Sequence, residues 1–279
     1  MRLHKPIGIW LLMWPTLWSL WIAGAGHPTA HNFIVFVLGV IITRSAGCVI
    51  NDVADRKIDG KVRRTQDRPL ATGAVTTAEA LVLFVALGLI AIALVLTLDR
   101  LTQLLAIVGA LLTVIYPFAK RFLAAPQLIL GAAFGWGIPM AFSAQTGAVP
   151  RIAWLMWLTV VIWAIIYDTM YAMADREDDL KVGVKSTAIL FGTADVFIVT
   201  LLQVVFLLGL LLIGATAKLG LWYIASIGIT AVMLGYQFTL IRNREPEPCF
   251  NAFLNNRYVG VIIFSGILLD YTFQGIPPA

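Results

Sequence analysis

The sequence predicts an all-α, polytopic membrane protein of about nine transmembrane helices. Three observations predict it. Hydrophobic residues fill 60% of the 279 positions, charged residues only 13%, and the mean hydropathy is +0.89. A soluble domain is about 45–50% apolar and about 25% charged. Apolar runs near the ~20 residues that a bilayer-spanning helix needs recur along the whole chain. Lys and Arg, finally, are confined almost entirely to alternate loops between those runs. An ordinary soluble globule and a disordered chain are both excluded.

The first run, 6–25, contains Pro15 and several tryptophans and has no small-residue cleavage site, so it reads as a retained span rather than a removable leader. Gly26-His27-Pro28 separates it from the second, 32–55, which ends in acids. The third, 77–98, and fourth, 101–118, are divided by Asp99-Arg100, and Asp99 reads as a plain loop acid. Lys120-Arg121 precedes the fifth, 124–143, and Thr146-Gly147 the sixth, 152–175. The seventh, 192–214, and eighth, 218–241, meet at Lys218. Glu245-Pro246-Glu247-Pro248 reads as a break before the ninth, 256–273. No stretch is long enough for a separate soluble domain, so residues 1–279 read as a single membrane domain. Cys48 and Cys249 are far apart and no Cys-x-x-Cys spacing occurs, which argues against a disulfide framework or a zinc site.

Numbering the loops alternately from the N-terminus places 17 of the 20 Lys and Arg residues in one set; only Arg100, Arg151 and Lys218 fall in the other. By the positive-inside rule the N-terminus and the basic loops are cytoplasmic. The net charge of +5 then needs no nucleic-acid partner, and nothing in the sequence calls for an obligate protein partner.

Nine of the fifteen acids lie in two clusters on that same side, 52–67 and 168–179, and each cluster contains a dense acidic stretch. The first is Asn51-Asp52-Val53-Ala54-Asp55-Arg56-Lys57-Ile58-Asp59. Asn51, Asp55 and Asp59 stand at i, i+4 and i+8, one face of a helix. The second is Asp175-Arg176-Glu177-Asp178-Asp179, with Asp175 and Asp179 again at i, i+4. Each stretch follows an even-numbered span, four spans apart, which suggests a weak tandem repeat. Stacked carboxylates repel unless a cation lies between them, and Mg²⁺ is commonly held by one or two carboxylates plus substrate phosphates. Basic residues interleave with the acids: Lys57, Lys61, Arg63, Arg64 and Arg68 after the first stretch, Lys181 and Lys185 after the second. Acids with Lys and Arg suit a metal–diphosphate site better than a cation store, although membrane topology alone accounts for part of the basic residues. The competing reading, a cation-coupled transporter, expects its acids near the bilayer midplane beside broken helices; here they lie at span ends.

The run from Arg44 through Gly47-Cys48 and Asn51-Asp52-Val53-Ala54-Asp55-Arg56 to Asp59-Gly60, followed by Arg64-Thr65-Gln66-Asp67-Arg68-Pro69-Leu70, resembles the first Asp-rich motif of the UbiA superfamily of intramembrane aromatic prenyltransferases. Tyr167-Asp168-Thr169-Met170-Tyr171 through Asp175 and Asp178-Asp179 to Gly183-Val184-Lys185-Ser186-Thr187 resembles the second, and Lys5-Pro6-Ile7-Gly8 and Trp14-Pro15-Thr16 fit the family's opening. The resemblance spans nearly the whole chain and is strongest to the branch that acts on 4-hydroxybenzoate in ubiquinone biosynthesis. It implies helices around a central cavity in a bacterial inner membrane, Mg²⁺ as cofactor, and polyprenyl diphosphate and 4-hydroxybenzoate as substrates. It implies that Asn51, Asp55, Asp59, Asp175 and Asp179 hold the metal and that Arg56, Lys57, Arg64, Arg68, Lys181 and Lys185 surround the diphosphate. Arg44 and Arg121 then face the aromatic acceptor, and Asp168 joins the carboxylates as a catalytic group, orienting the phenol or accepting the ring proton. Other readings stay open: Arg44 could snorkel to the interface or pair with Asp168, and Arg121 could serve the diphosphate or topology alone.

Overall fold

In the computed structural model, residues 1, 3–56, 59–61 and 65–273 are described, with the backbone alone at 61, 118, 120 and 121. Among the described residues, eleven α-helices group into nine apolar segments: α1 Ile7–Ala23, α2 Ala30–Asp55, α3 Thr77–Val95, α4 Arg100–Phe122, the pair α5 Gln127–Gly135 and α6 Gly137–Thr146, α7 Arg151–Val182, the short α8 Thr187–Phe191 leading into α9 Asp195–Ala217, α10 Leu221–Ile241 and α11 Pro246–Phe273. Eight of these segments are long and apolar enough to cross a membrane, and α1, with 17 residues, is shorter. The outward residues of α3 and α4 are largely aliphatic: Val82, Val85, Leu89 and Ile92 on α3, and Leu104, Ile107, Leu111 and Val114 on α4, are exposed. In water such a surface would aggregate; in lipid it is the solvated one.

Consecutive contacts run from α1 to α2, α4, α5, α7, α9, α10, α11 and back to α1, so the helices close a ring, with α3 against α2 and α4 on its outside. α7 is the hub. It touches α1, α5, α6, α8, α9 and α11, and its Trp163, Ala164, Ile166 and Met170 are fully buried. Trp18 of α1, Trp163 of α7 and Phe206 of α9 stack through the core at centroid distances of 5.4 and 5.8 Å.

Four elements differ from the sequence expectation, each for a local reason. The fifth span is interrupted at Trp136, because Pro139 has no N–H to give the Gly135 carbonyl and its ring crowds that turn. The last span begins at Pro246 rather than near 256. Proline suits the first position of a helix, whose N–H is unpaired in any case, and the Cys249 N–H donates to the Glu245 carbonyl at 3.0 Å. The sixth span does not stop at Asp175 but continues to Val182, where Gly183 at φ +71° ends it. Asp99 is no plain loop acid. It caps α4, accepting from the Thr102 N–H at 3.0 Å and from the Thr102 hydroxyl, whose oxygen also lies 2.8 Å from the Ser143 hydroxyl of α6.

Burial alone would raise the Asp99 carboxyl, but the Thr102 hydrogen bonds outweigh it and hold the group below its usual range. A depressed acid contributes stability that is present above its unfolded value and lost as pH falls through the folded one. Asp99→Ala should therefore lower the thermal midpoint at neutral pH by the equivalent of about 1 kcal/mol, and the gap to the native protein should close below the carboxylate range. Asp99→Asn, which keeps a capping oxygen, should lose much less.

Candidate active site

The two acidic stretches adopt different shapes. Asn51 and Asp55 lie one turn apart at the end of α2, and the helix stops at Asp55. Asp59 therefore does not continue the helical face; it opens a 3₁₀ turn, Asp59–Lys61. Asp52, Asp55 and Asp59 are all buried. Arg68 folds back over them, with Nη1 at 2.6 Å from Asp59 Oδ1 and 3.3 Å from Asp52 Oδ1. Thr65 fastens the same return by donating to the Asp59 carbonyl at 2.8 Å. Burial pushes the Asp59 carboxyl up, Asp55 and Asp52 add to that, and Arg68 only partly opposes it. Arg68, expected at the diphosphate, here faces the carboxylates of its own motif. Lys57 and Arg64 lie outside the described residues.

The second stretch is wholly helical. Asp168, Asp175 and Asp179 project from α7, with Asp175 buried and the other two half-buried. Arg176 is turned away, donating to the Ala188 carbonyl at 2.7 Å and to Asp195. Asp195, fully buried at the start of α9, also receives Arg244 Nε at 2.9 Å. One carboxylate thus ties α7 to α9 and to the turn before α11. Lys181 is exposed and pairs with Asp178 at 3.2 Å. Lys185 donates to the Phe122 carbonyl at 3.1 Å, joining the segment after α7 to the end of α4. Arg56 donates to the Val53 carbonyl at 3.0 Å. Of Arg121 only the backbone is described, in the last turn of α4.

Side chains from α2, α4 and α7 come near one another toward the C-terminal ends of these helices. Tyr116 of α4 lies within electrostatic reach of Asp168 and Tyr171 of α7 and of Arg44 and Asp55 of α2. Arg44 itself sits among three helices. Its Nη1 is 2.6 Å from Cys48 Sγ, its guanidinium carbon is 5.9 Å from the Phe134 ring centre, and its Nε is buried with no hydrogen-bond partner among the described residues. Phe134, Tyr167, Phe253 and Tyr171 continue an aromatic wall inward from it, with centroids 5.0–6.4 Å apart. The Tyr167 hydroxyl is likewise buried without a hydrogen-bond partner among the described residues. Tyr116, Phe134 and the Asp195 tether were absent from the sequence reading. Tyr116, the one hydroxylated aromatic in the fourth apolar run, is the signal that could have been weighed.

A family model described as the UbiA prenyltransferase family matches residues 12–260. The chain belongs to the UbiA prenyltransferase family. A relative from Saccharophagus degradans, named 4-hydroxybenzoate octaprenyltransferase, is 55% identical over 97% of this chain and 90% of its own length. Among solved structures, the apo structure of a UbiA homolog from Aeropyrum pernix K1 superposes with TM-score 0.82 at 25% identity, covering 97% of this chain and 99% of that one. A UbiA homolog from Archaeoglobus fulgidus, solved bound to GPP and Mg²⁺, shares the fold with TM-score 0.73 at 18% identity, over 96% and 98% of the two chains.

The donor set of this UbiA protein suits a hard divalent cation. Asn51, Asp55, Asp59, Asp175 and Asp179 offer oxygen alone, and Asp59 Oδ2 is buried with no hydrogen-bond partner among the described residues. No three His, Cys, Asp or Glu side chains among the described residues are grouped closely enough to cage a metal unaided. That arrangement fits Mg²⁺, which retains several positions for water and substrate phosphate.

Breaking a buried ion pair on one side strands the other charge and costs about 3–5 kcal/mol. Asp195→Asn should therefore lower the thermal midpoint in detergent sharply, toward the lower end of that range because Arg176 and Arg244 are partly solvated. Arg244→Gln should cost less, since Arg176 still meets the carboxylate.

Proposed function

We propose that the protein transfers a polyprenyl group from polyprenyl diphosphate to the ring carbon of 4-hydroxybenzoate ortho to its hydroxyl, releasing diphosphate, in ubiquinone biosynthesis. The observation that carries this is the grouping, at one end of an apolar bundle, of carboxylate-lined helix ends with a half-buried arginine and tyrosines just inside them. The relatives over 50% identical that bear the name 4-hydroxybenzoate octaprenyltransferase support the choice of acceptor.

Asn51, Asp55 and Asp59, with Asp175 and Asp179, would hold Mg²⁺, which supplies charge neutralisation to the departing diphosphate. The Archaeoglobus homolog solved with GPP and Mg²⁺ supports the use of that metal. Lys57, Arg64, Lys181 and Lys185 would balance the remaining charge, and Arg68 would keep the first carboxylates in place. Arg44 would bind the acceptor carboxylate through its planar fork. Asp168 would orient the phenol or take the ring proton once the C–O bond of the diphosphate has broken and the C–C bond has formed. The aromatic wall of Phe134, Tyr167 and Tyr171 would exclude water and face the allylic cation. Between Thr102 and Pro117 no residue of α4 is buried, which leaves room beside that helix for an apolar tail. The protein would lie in a bacterial inner membrane with this end facing the cytoplasm, in keeping with the 17-to-3 distribution of its basic residues.

Purified protein, Mg²⁺, a polyprenyl diphosphate and a panel of aromatic acceptors, read by mass spectrometry, test the reaction; prenylation of a naphthoate or homogentisate in preference to 4-hydroxybenzoate would overturn the acceptor. Asp55→Asn and Asp175→Asn should each abolish turnover, as should EDTA, with Mg²⁺ restoring it. Glu247→Gln, an exposed acid on the same side, should leave the rate unchanged. Full activity in EDTA would refute a metal-held diphosphate.

Arg44→Ala should raise the acceptor KM at least about tenfold, since truncating one partner of a buried charge pair costs about 2–5 kcal/mol, with little change in KM for the diphosphate. Loss of protein yield with both KM values intact would mark Arg44 as structural.

A further inference from the structure

Gly8 is the second residue of α1, is buried, and has an ordinary helical backbone. Alanine is the better helix former at such a position, so the backbone does not explain the missing side chain. The surroundings do. A Cβ built on Gly8 would stand 2.1 Å from Arg44 Nε, 2.4 Å from Nη2 and 2.6 Å from Cζ. The guanidinium occupies the volume where a side chain would be. Its other edge lies against Cys48 Sγ, one turn further along α2, and its face is turned to Phe134 of α5.

We infer that Gly8 is a positioning residue for the acceptor: the bare backbone of α1 is the wall that sets where the Arg44 fork points, and so where a bound carboxylate sits relative to the diphosphate end. The inference rests on the reading of Arg44 as the acceptor-binding group. The clash falls on the far end of a flexible side chain, not on backbone. A methyl group at position 8 therefore leaves α1 in place and moves the guanidinium, by the order of 1 Å needed to restore ordinary contact. Misplacement of that size costs up to about 100-fold in rate without touching the reacting atoms.

The test is a double-mutant cycle on the purified full-length chain, with both KM values and the thermal midpoint measured for the native protein, Gly8→Ala, Arg44→Ala, Arg44→Lys and the combinations. Gly8→Ala should keep or raise the thermal midpoint, lower kcat/KM for 4-hydroxybenzoate by about 10- to 100-fold, and leave the diphosphate KM unchanged. In the Arg44→Ala background, where the clashing atoms are gone, Gly8→Ala should have no further effect. In the Arg44→Lys background, where a narrow ammonium replaces the fork, its effect should shrink. Equal losses from Gly8→Ala with and without Arg44 would overturn the inference. If Gly8→Ala alone does not fold, the combination with Arg44→Ala must fold, and its failure to do so would also overturn it. A coupled pair that acts on the diphosphate KM instead would refute the acceptor reading of Arg44 while keeping its dependence on Gly8.

Discussion

Two groups of buried carboxylates, Asp52 with Asp59 and Asp195, are answered by arginines brought from elsewhere in the chain, and much of the local architecture follows from that requirement. Asp52 and Asp59 are met by Arg68, nine residues beyond Asp59 in the chain. Asp195 is met by arginines from α7 and from the turn before α11. An ion left alone here would be costly, so these connections are pinned by charge. The opposite surface of the same helices is aliphatic and asks nothing of its surroundings but lipid.

The two acidic motifs share spacing in sequence but not in shape. In the first, the helix stops at Asp55 and a turn returns Asp59; in the second, α7 carries Asp175 and Asp179 on one continuous helix of 32 residues. At 1.5 Å per residue that helix is about 48 Å long, well beyond the ~30 Å hydrocarbon core. One carboxylate set is therefore mounted on a rigid rod anchored in the core by Trp163, and the other on a folded return held by Arg68. The tandem resemblance is one of placement rather than of local geometry.

Much of this was legible in the chain. Nine apolar runs convey the spans because lipid imposes a length on sequence. The acidic motifs were visible because carboxylates at i, i+4 have few other uses in an apolar protein. What stayed hidden was decided by tertiary contact. Pro246 looks like a break and is a helix start; Asp99 looks idle and is a cap. Gly8 is indistinguishable by type from the glycines with open space around them, such as Gly39 and Gly88. The roles expected of Arg68 and Lys185 came from their charge, and charge does not say which partner a flexible side chain finds first.

Asp270 carries one further consequence. It lies in the final helix, is buried, and accepts from the backbone N–H groups of Gly220, Trp222 and Tyr223 at 2.8–3.2 Å, at the start of α10. An acid in a membrane segment is unfavourable by about 2.5–3.5 kcal/mol at the helix centre, and the cost eases where unpaired amides await it. The beginning of α10 is complete only once α11 has arrived. The last two helices are thereby mutually dependent: α10 lends α11 the amides that solvate its carboxylate, and α11 closes the first turn of α10.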